Sequence, residues 1–274
     1  MQYDLKNLTF IYHVRVDTNE RAENIKISAN FLRRNCTNYK TIYVEDGDRQ
    51  QLPGLINFTE NDTYLFKYNE KMWNRCDAFN EGIRLSRSNY LAFCDVDIII
   101  HPNQFIESVE YLEENPNTGI IYPYCGMFLC VTEEVKNEFS NTLDYNTLDK
   151  IYPERDFINF NNGYCFVGHN NSVGGCVMGR RDNLIKAKGY NPNFIGWGYE
   201  DNEFPKRVHA YGFDVCRKKG GKRPLWHLPH DGVGQSPKAD NPYIDNNKQI
   251  SDFVCNTATK EQIIEYAEKS WTLL

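Results

Sequence analysis

Tyr90-Leu91-Ala92-Phe93-Cys94-Asp95-Val96-Asp97-Ile98-Ile99-Ile100 is an apolar, β-prone run broken by two carboxylates one residue apart. A run like this predicts a strand buried on both faces of a mostly parallel sheet, spanning Leu91 to Ile100 and stopped by Pro102. In open α/β sheets, ligands bind beyond the carboxyl ends of the strands. Side chains alternate along a strand, so Asp95 and Asp97 are expected to point the same way. With the pleat relaxed at the strand end, one can reach a metal while the other hydrogen-bonds a neighbouring sugar. Two like charges this close are costly unless a cation sits between them. An acidic turn after a strand looks the same, so the rest of the chain has to decide.

Upstream, Leu8 to Val14 reads as a first buried strand with Arg15 at its carboxyl end. Asp17 to Arg34 has helical apolar spacing through Ala22, Ile25, Ala29 and Leu32, and Thr41 to Val44 is a second strand running into Glu45-Asp46-Gly47. This is a right-handed βαβ unit ending in an acidic turn. Asp46 there either accepts hydrogen bonds from a nucleobase or ribose, or serves a plain Asp-Gly turn. Tyr64 to Tyr68 is a third strand. Trp73 to Leu85 is helical, with Arg75 near its positive end as a solvated charge or a phosphate partner.

Downstream, Gln104 to Glu114 is an amphipathic helix and Gly119 to Pro123 a strand. From Cys125 to about Gly168 the pattern weakens, as expected of an acceptor-side insertion or loop. Val173 to Met178 is a strand opened by Gly174-Gly175, where another group can approach the backbone closely, and Arg181 to Lys188 is a short helix. In Gly196-Trp197-Gly198-Tyr199-Glu200-Asp201 the glycines supply hinge freedom and Trp197 a flat apolar platform. Glu200 and Asp201 open a helix running to about Tyr211. Carbohydrate rings stack on an indole while their hydroxyls need carboxylate acceptors; a capped helix with a buried Trp gives the same string. After a short strand at Phe213 to Cys216, Trp226-His227-Leu228-Pro229-His230 presents two imidazoles three residues apart, a common ligand type for transition metals. No H-E-x-x-H string occurs, which argues against a zinc peptidase. Gly232 to Asn247 is expected to be a loop that closes over a ligand, and Lys260 to Lys269 a terminal helix.

The 274 residues suffice for one large α/β domain, and 41% hydrophobic content with 14% aromatics excludes a disordered chain. A formal charge of -6 argues against a nucleic-acid surface, yet a few arginines and a metal suffice for a phosphate-bearing small ligand. No signal peptide is visible and no apolar run reaches the ~20 residues of a membrane span. The nine cysteines include no C-x-x-C pair, so a reduced, cytoplasmic setting is expected. Peripheral attachment to the inner face of a membrane is compatible with this.

Taken in order, Val14-Arg15, Trp73-Asn74-Arg75, Asp95-Val96-Asp97, Gly174-Gly175, Gly196-Trp197-Gly198-Tyr199-Glu200-Asp201 and His227-Leu228-Pro229-His230 resemble the GT-A glycosyltransferases. The nearest groups are the β-1,4-galactosyltransferases and bacterial capsule or chondroitin-polymerase-type domains, over about Thr9 to Asn246. The resemblance implies a Rossmann-like α/β fold with an acceptor-side insertion. Within one domain, residues 1–124 would form the nucleotide-sugar half, 125–250 the acceptor and catalytic half, and 251–274 a C-terminal helix. It implies that Asp97, His227 and His230 hold Mn2+ or Mg2+, with His227 standing where that group often has Met. It also implies that Arg15 and Arg75 hold the nucleotide and its phosphates, with Trp73 near the nucleoside. Asp46 would read the uracil, Asp95 would face the ribose or sugar, and Gly175 would lie beside the donor sugar. Asp201 would be the catalytic base, Glu200 would fix the acceptor hydroxyl, and Trp197 would sit on a closing loop. Tyr199 and Asn202 depart from the galactosyltransferase pattern, and Ser172 stands where a bulky Tyr limits the C2 substituent.

The implied reaction is one-step inversion, moving a hexose or N-acetylhexosamine from a UDP-sugar to a glycan or glycolipid hydroxyl, for a surface polysaccharide. The leaving diphosphate needs cationic stabilisation, and the acceptor hydroxyl needs a carboxylate to take its proton. No carboxylate has to form a covalent intermediate, unlike a retaining glycosidase. The alternatives are a non-catalytic nucleotide-sugar or glycan-binding module and a metal-dependent hydrolase.

Overall fold

Residues 8–14 are almost all buried because the strand they form lies inside a sheet covered on both sides. The computed structural model describes residues 2–152, 161–169, 171–218, 223–230 and 241–274. In chain order these form β1 (Tyr3–Val14), α1 (Asn19–Asn35), β2 (Cys36–Gly47), β3 (Asp62–Tyr68), α2 (Arg75–Leu85), β4 (Tyr90–Cys94) and β5 (Ile98–Ile99). Then come α3 (Pro102–Glu114), β6 (Thr118–Tyr122), β7 (Phe128–Val131), α4 (Glu133–Thr142), α5 (Asn146–Asp149), β8 (Cys165–His169) and β9 (Cys176–Arg180). The remainder is α6 (Arg181–Lys186), α7 (Glu200–Ala210), β10 (Asp214–Arg217), β11 (Leu225–His227), α8 (Ile244–Asp252), a π-helical turn (Phe253–Thr257) and α9 (Lys260–Ser270).

Seven strands form one sheet in the order β10-β6-β9-β4-β1-β2-β3. Every neighbouring pair in it is parallel except those made by β9, which runs antiparallel to both β4 and β6. A second sheet of four strands has the order β5-β11-β7-β8. The larger core joins the first sheet to α1, α2 and α3 through Phe10, Ile25, Phe79, Ile83, Phe93 and Val109. The second sheet packs its own cluster, with Phe31, Leu129, Phe139 and Trp226 at its centre.

Local chemistry sets the element ends. Thr18 caps α1 by accepting from the Arg21 N–H at 3.2 Å, and Asn74 caps α2 by accepting from Asp77 at 2.9 Å. Helix α2 therefore starts at Arg75, and Trp73 lies before it rather than on its face. Helix α7 is held at its far end by the fully buried Arg207, which pairs with Glu203 at 2.6 Å and lies 5.1 Å over the Trp271 ring.

The expected strand from Leu91 to Ile100 is in fact two strands in different sheets. β4 ends at Cys94, and Asp95-Val96-Asp97 is the crossing. The Asp95 N–H still bonds Gly175 O at 2.9 Å on the β9 side, while Asp97 O already accepts from the Leu228 N–H at 2.8 Å on the β11 side. The two carboxylates therefore do not share a strand face. The weak region from Cys125 to Gly168 also contains regular structure, β7, α4, α5 and β8, within its described part. Its strands are short edge or insert strands, whose alternation is too brief to register. Of the loop expected at Gly232 to Asn247, residues 231–240 lie outside the described residues, and from Ile244 the chain is helical.

Candidate active site

The functional side chains gather where β1, β2 and β4 end, the edge at which open α/β sheets bind ligands. They form three neighbouring groups.

The first lies at the ends of β1 and β2. Asp46 Oδ1 accepts from Arg15 Nη1 at 3.2 Å and Asn69 Nδ2 at 2.8 Å, and Asp46 Oδ2 accepts from the Asn74 N–H at 3.0 Å. Burial opposes ionisation of Asp46, but His13, the Asn74 N–H and the Asn69 amide hold its pKa below the usual value. His13 lies 3.8 Å from the same carboxylate and packs against Trp73 with ring centroids 5.6 Å apart. Burial lowers its pKa and favours the neutral ring. Arg15 and Asp46, with Asp17, Arg49, Gln51 and Glu70, line a cleft of about 490 Å³. That is room enough for a nucleoside. His13 carried no signal in the sequence, because a lone His at the end of an apolar strand reads as core.

The second group is Asp97, His227 and His230. His227 comes from β11, which pairs with β5 just after Asp97, so sheet register brings them together. Nε2 of His227 is 3.6 Å and Nε2 of His230 is 3.1 Å from the Asp97 carboxylate, and one ligand atom from each residue lies within 4.8 Å of the others. Burial works against the Asp97 charge, yet the two imidazoles hold its pKa well below the usual carboxylate range. Burial likewise opposes a charged His227, but Asp97 raises it to about 10. Nε2 of both rings faces the Asp97 carboxylate, which makes Nε2 the nitrogen each ring offers to a shared ligand. One carboxylate and two imidazoles converging on a point fit a divalent transition-metal ion with positions left over for another ligand.

The third group surrounds Arg75. Its Nη2 is 3.0 Å from Asp95 Oδ1, and its Nη1 is 3.3 Å from Glu200 Oε1 and 3.4 Å from Asp201 Oδ1. Burial, helped by the Asp201 charge, pushes Glu200 up to about 7. Burial also raises Asp201, against the pull of Arg75, and raises Asp95 with help from Asp97. A carboxylate with a raised pKa suits proton abstraction near neutral pH.

The glycines explain how these groups fit together. A Cβ at Gly174 would stand 2.8 Å from Asp201 Oδ2, so only hydrogen leaves that carboxylate its place. Gly175, at φ +79°, has its carbonyl on the Asp95 N–H, and a Cβ there would meet Leu225 at 2.6 Å. Gly196 donates to Trp73 O at 2.8 Å, tying the Trp197 loop to the segment just before α2. Trp197 itself is 40% exposed. The loop is held from behind by Asn241, which donates to Ile195 O and Trp197 O, and by Asn247, which donates to Ile195 O. These two asparagines had no signal in the sequence, since lone amides in a polar stretch read as loop.

Residues 16–218 match the family described as glycosyltransferase like family 2. An uncharacterized glycosyltransferase of Rickettsia bellii (strain RML369-C) is 29% identical over 84 residues, which is 31% of this chain and 12% of that protein. The chondroitin synthase of Escherichia coli is 24% identical over 226 residues, covering 72% of this chain and 32% of that protein. The chain thus spans a third or less of the length of these relatives. Among solved structures, the catalytic domain of Drosophila β1,4-galactosyltransferase 7 with xylobiose superposes with a TM-score of 0.51 at 17% identity, covering 94% of this chain and 83% of that one. A mutant of the same enzyme, in complex with manganese, UDP-Gal and xylobiose, gives 0.53 at 17% identity with the same coverage. The α/β fold with its mixed, mostly parallel sheet is that of the GT-A galactosyltransferases. Among the described residues no helix is long and apolar enough to cross a membrane.

Proposed function

The chain belongs to glycosyltransferase like family 2, and on that premise we propose that it is an inverting, divalent-cation-dependent transferase. It moves a hexose or N-acetylhexosamine from a UDP-sugar to a glycan or glycolipid hydroxyl and forms a β-linkage, in surface polysaccharide synthesis. One observation carries this reading: a convergent donor set for a cation, Asp97 with His227 and His230, and a pair of carboxylates with raised pKa, Glu200 and Asp201, flank the Asp95-Val96-Asp97 crossing, the latter pair joined to Asp95 through Arg75. The manganese and UDP-Gal of the structurally similar galactosyltransferase support the same assignment.

In this mechanism Arg15, Asp46 and Trp73 bind the nucleoside. Asp97, His227 and His230 would hold Mn2+ or Mg2+, which supplies positive charge for the departing diphosphate. Asp95 faces the donor sugar, with the Gly175 turn closing in beside it. Asp201 accepts the proton of the acceptor hydroxyl as that oxygen attacks the anomeric carbon from the face opposite the diphosphate. Glu200 orients the hydroxyl, and Trp197 offers its exposed indole to a sugar ring. With a single displacement, an α-linked donor gives a β-linked product. Ser172, whose Oγ accepts from the Gly174 N–H at 3.2 Å, is a small side chain, and on this reading its size admits an N-acetyl group at C2.

The test is a donor screen by UDP release with and without Mn2+, followed by an acceptor array and NMR of the product's anomeric linkage. UDP-Gal, UDP-GalNAc, UDP-Glc and UDP-GlcNAc are compared. Cation-dependent release that requires an acceptor and yields a β-linkage is expected. A retained α-linkage, or sugar released to water with no need of an acceptor, overturns the proposal.

A further inference from the structure

Arg75 stands where a phosphate ligand is expected, but its surroundings are those of a different part. Its two terminal nitrogens face three carboxylates on two different elements, Asp95 just after β4 and Glu200 and Asp201 at the start of α7. The side chain is 12% exposed. It lies 5.0 Å over the ring of Phe79, a residue buried in the main core, and its Nε is buried with no partner among the described residues. A guanidinium has a fixed fork of donors, and here both outer arms of the fork are committed to carboxylates. A diphosphate brought to this nitrogen pair would meet the three carboxylates at the same distance. Among the described residues, Arg75 is the cation ion-paired to Asp95, Glu200 and Asp201. Gly174 leaves Asp201 its space, since an added Cβ would stand 2.8 Å from Oδ2, and Arg75 holds the carboxylate through Oδ1 at 3.4 Å.

We propose that Arg75 is a positioning residue and not a phosphate ligand: its fork clamps Asp201 on α7 to Asp95 at the end of β4, setting the distance between the acceptor's base and the donor sugar. This rests on the transferase reading given above. The Asn74 cap extends the clamp, because the Asn74 N–H donates to Asp46 and its side chain to Pro192 O. The start of α2 thereby references the nucleoside side, the sugar side and the base to one rigid helix end. A lysine keeps the charge, but as a single point it cannot span both carboxylate groups.

The experiment uses the whole chain with Arg75→Lys, Arg75→Gln and, as a probe from the opposite side, Gly174→Ala. Steady-state transfer is measured against donor concentration, and UDP binding in the presence of Mn2+ is measured by calorimetry. Misplacing a base by about an ångström costs roughly 100-fold. Arg75→Gln is expected to lower kcat by about that factor and Arg75→Lys by less, as a partial rescue. Gly174→Ala is expected to lower kcat as well, while donor KM and UDP affinity stay within about threefold in all three. A tenfold or greater rise in UDP Kd and donor KM with kcat held would make Arg75 a phosphate ligand and overturn the proposal. If Arg75→Gln does not fold, the lysine and alanine variants carry the same test. If the unaltered protein transfers no sugar, the transferase reading fails by itself, and UDP affinity in Arg75→Lys still decides whether Arg75 touches phosphate.

Discussion

Asp95 and Asp97 are separated by one residue and live in opposite electrical surroundings. Asp97 faces two imidazoles and is held well below the usual carboxylate range, against the burial that opposes its charge. Burial raises Asp95, which shares a single guanidinium with Glu200 and Asp201. The cause is the chain crossing from one sheet to the other between them. One region is therefore built to gather positive charge and the other is left with an excess of negative charge. Pairs of groups whose pKa values are driven apart in this way mark a division of labour, which in the proposed function is cation binding against proton transfer.

The largest expected effect comes from removing the base without touching the cation set. Asp201→Asn should lower turnover by about 10²–10⁴-fold while Mn2+-dependent UDP binding survives. Loss of both together, measured by kinetics and calorimetry, would erase the distinction between the regions. Next, Mn2+ should raise the melting temperature of the protein, by roughly 2.7 kcal/mol of stabilisation at a hundred times Kd, and Asp97→Asn should abolish that shift. Proton linkage sharpens the comparison further. His227, raised to about 10 by Asp97, must lose its proton to bind a cation, so cation uptake should release protons and weaken as pH falls. Calorimetry in buffers of different ionisation enthalpy measures that release.

In the acidic region the sign is set by Glu200, whose pKa of about 7 means that kcat/KM should fall as pH drops through that value. The smallest effect is on stability. The folded-state pKa of Glu200, about 7, lies above the value of about 4.3 for an unfolded glutamate, so the native state binds the proton more tightly and stability falls as pH rises between the two. Glu200→Gln should therefore raise stability by roughly 1 kcal/mol at pH 8 and much less at pH 4, as read from denaturant midpoints. An equal gain at both pH values would remove the excess charge from the account.

Much of this was legible because it is local. Apolar runs marked the buried strands, helical spacing marked α1 and α2, and the G-W-G-x-E-D string marked the start of α7. Asp97, His227 and His230 were paired in advance only through the family resemblance, and the structure brings their ligand atoms within 4.8 Å. His13, Asn241 and Asn247 were missed because each is a single polar residue in an unremarkable setting, given its place by partners far along the chain. The strand drawn through Asp95 and Asp97 was wrong because apolar continuity reports burial and not which sheet does the burying.

The amino-acid order by itself determined which stretches would be strand or helix, since periodicity and capping act over a few residues. Only the tertiary structure decided that Arg75 would face three carboxylates and that Asp97 would face two imidazoles. Those partnerships span as many as 133 positions, and sheet pairing and core packing set them, forces that leave no periodic trace along the chain.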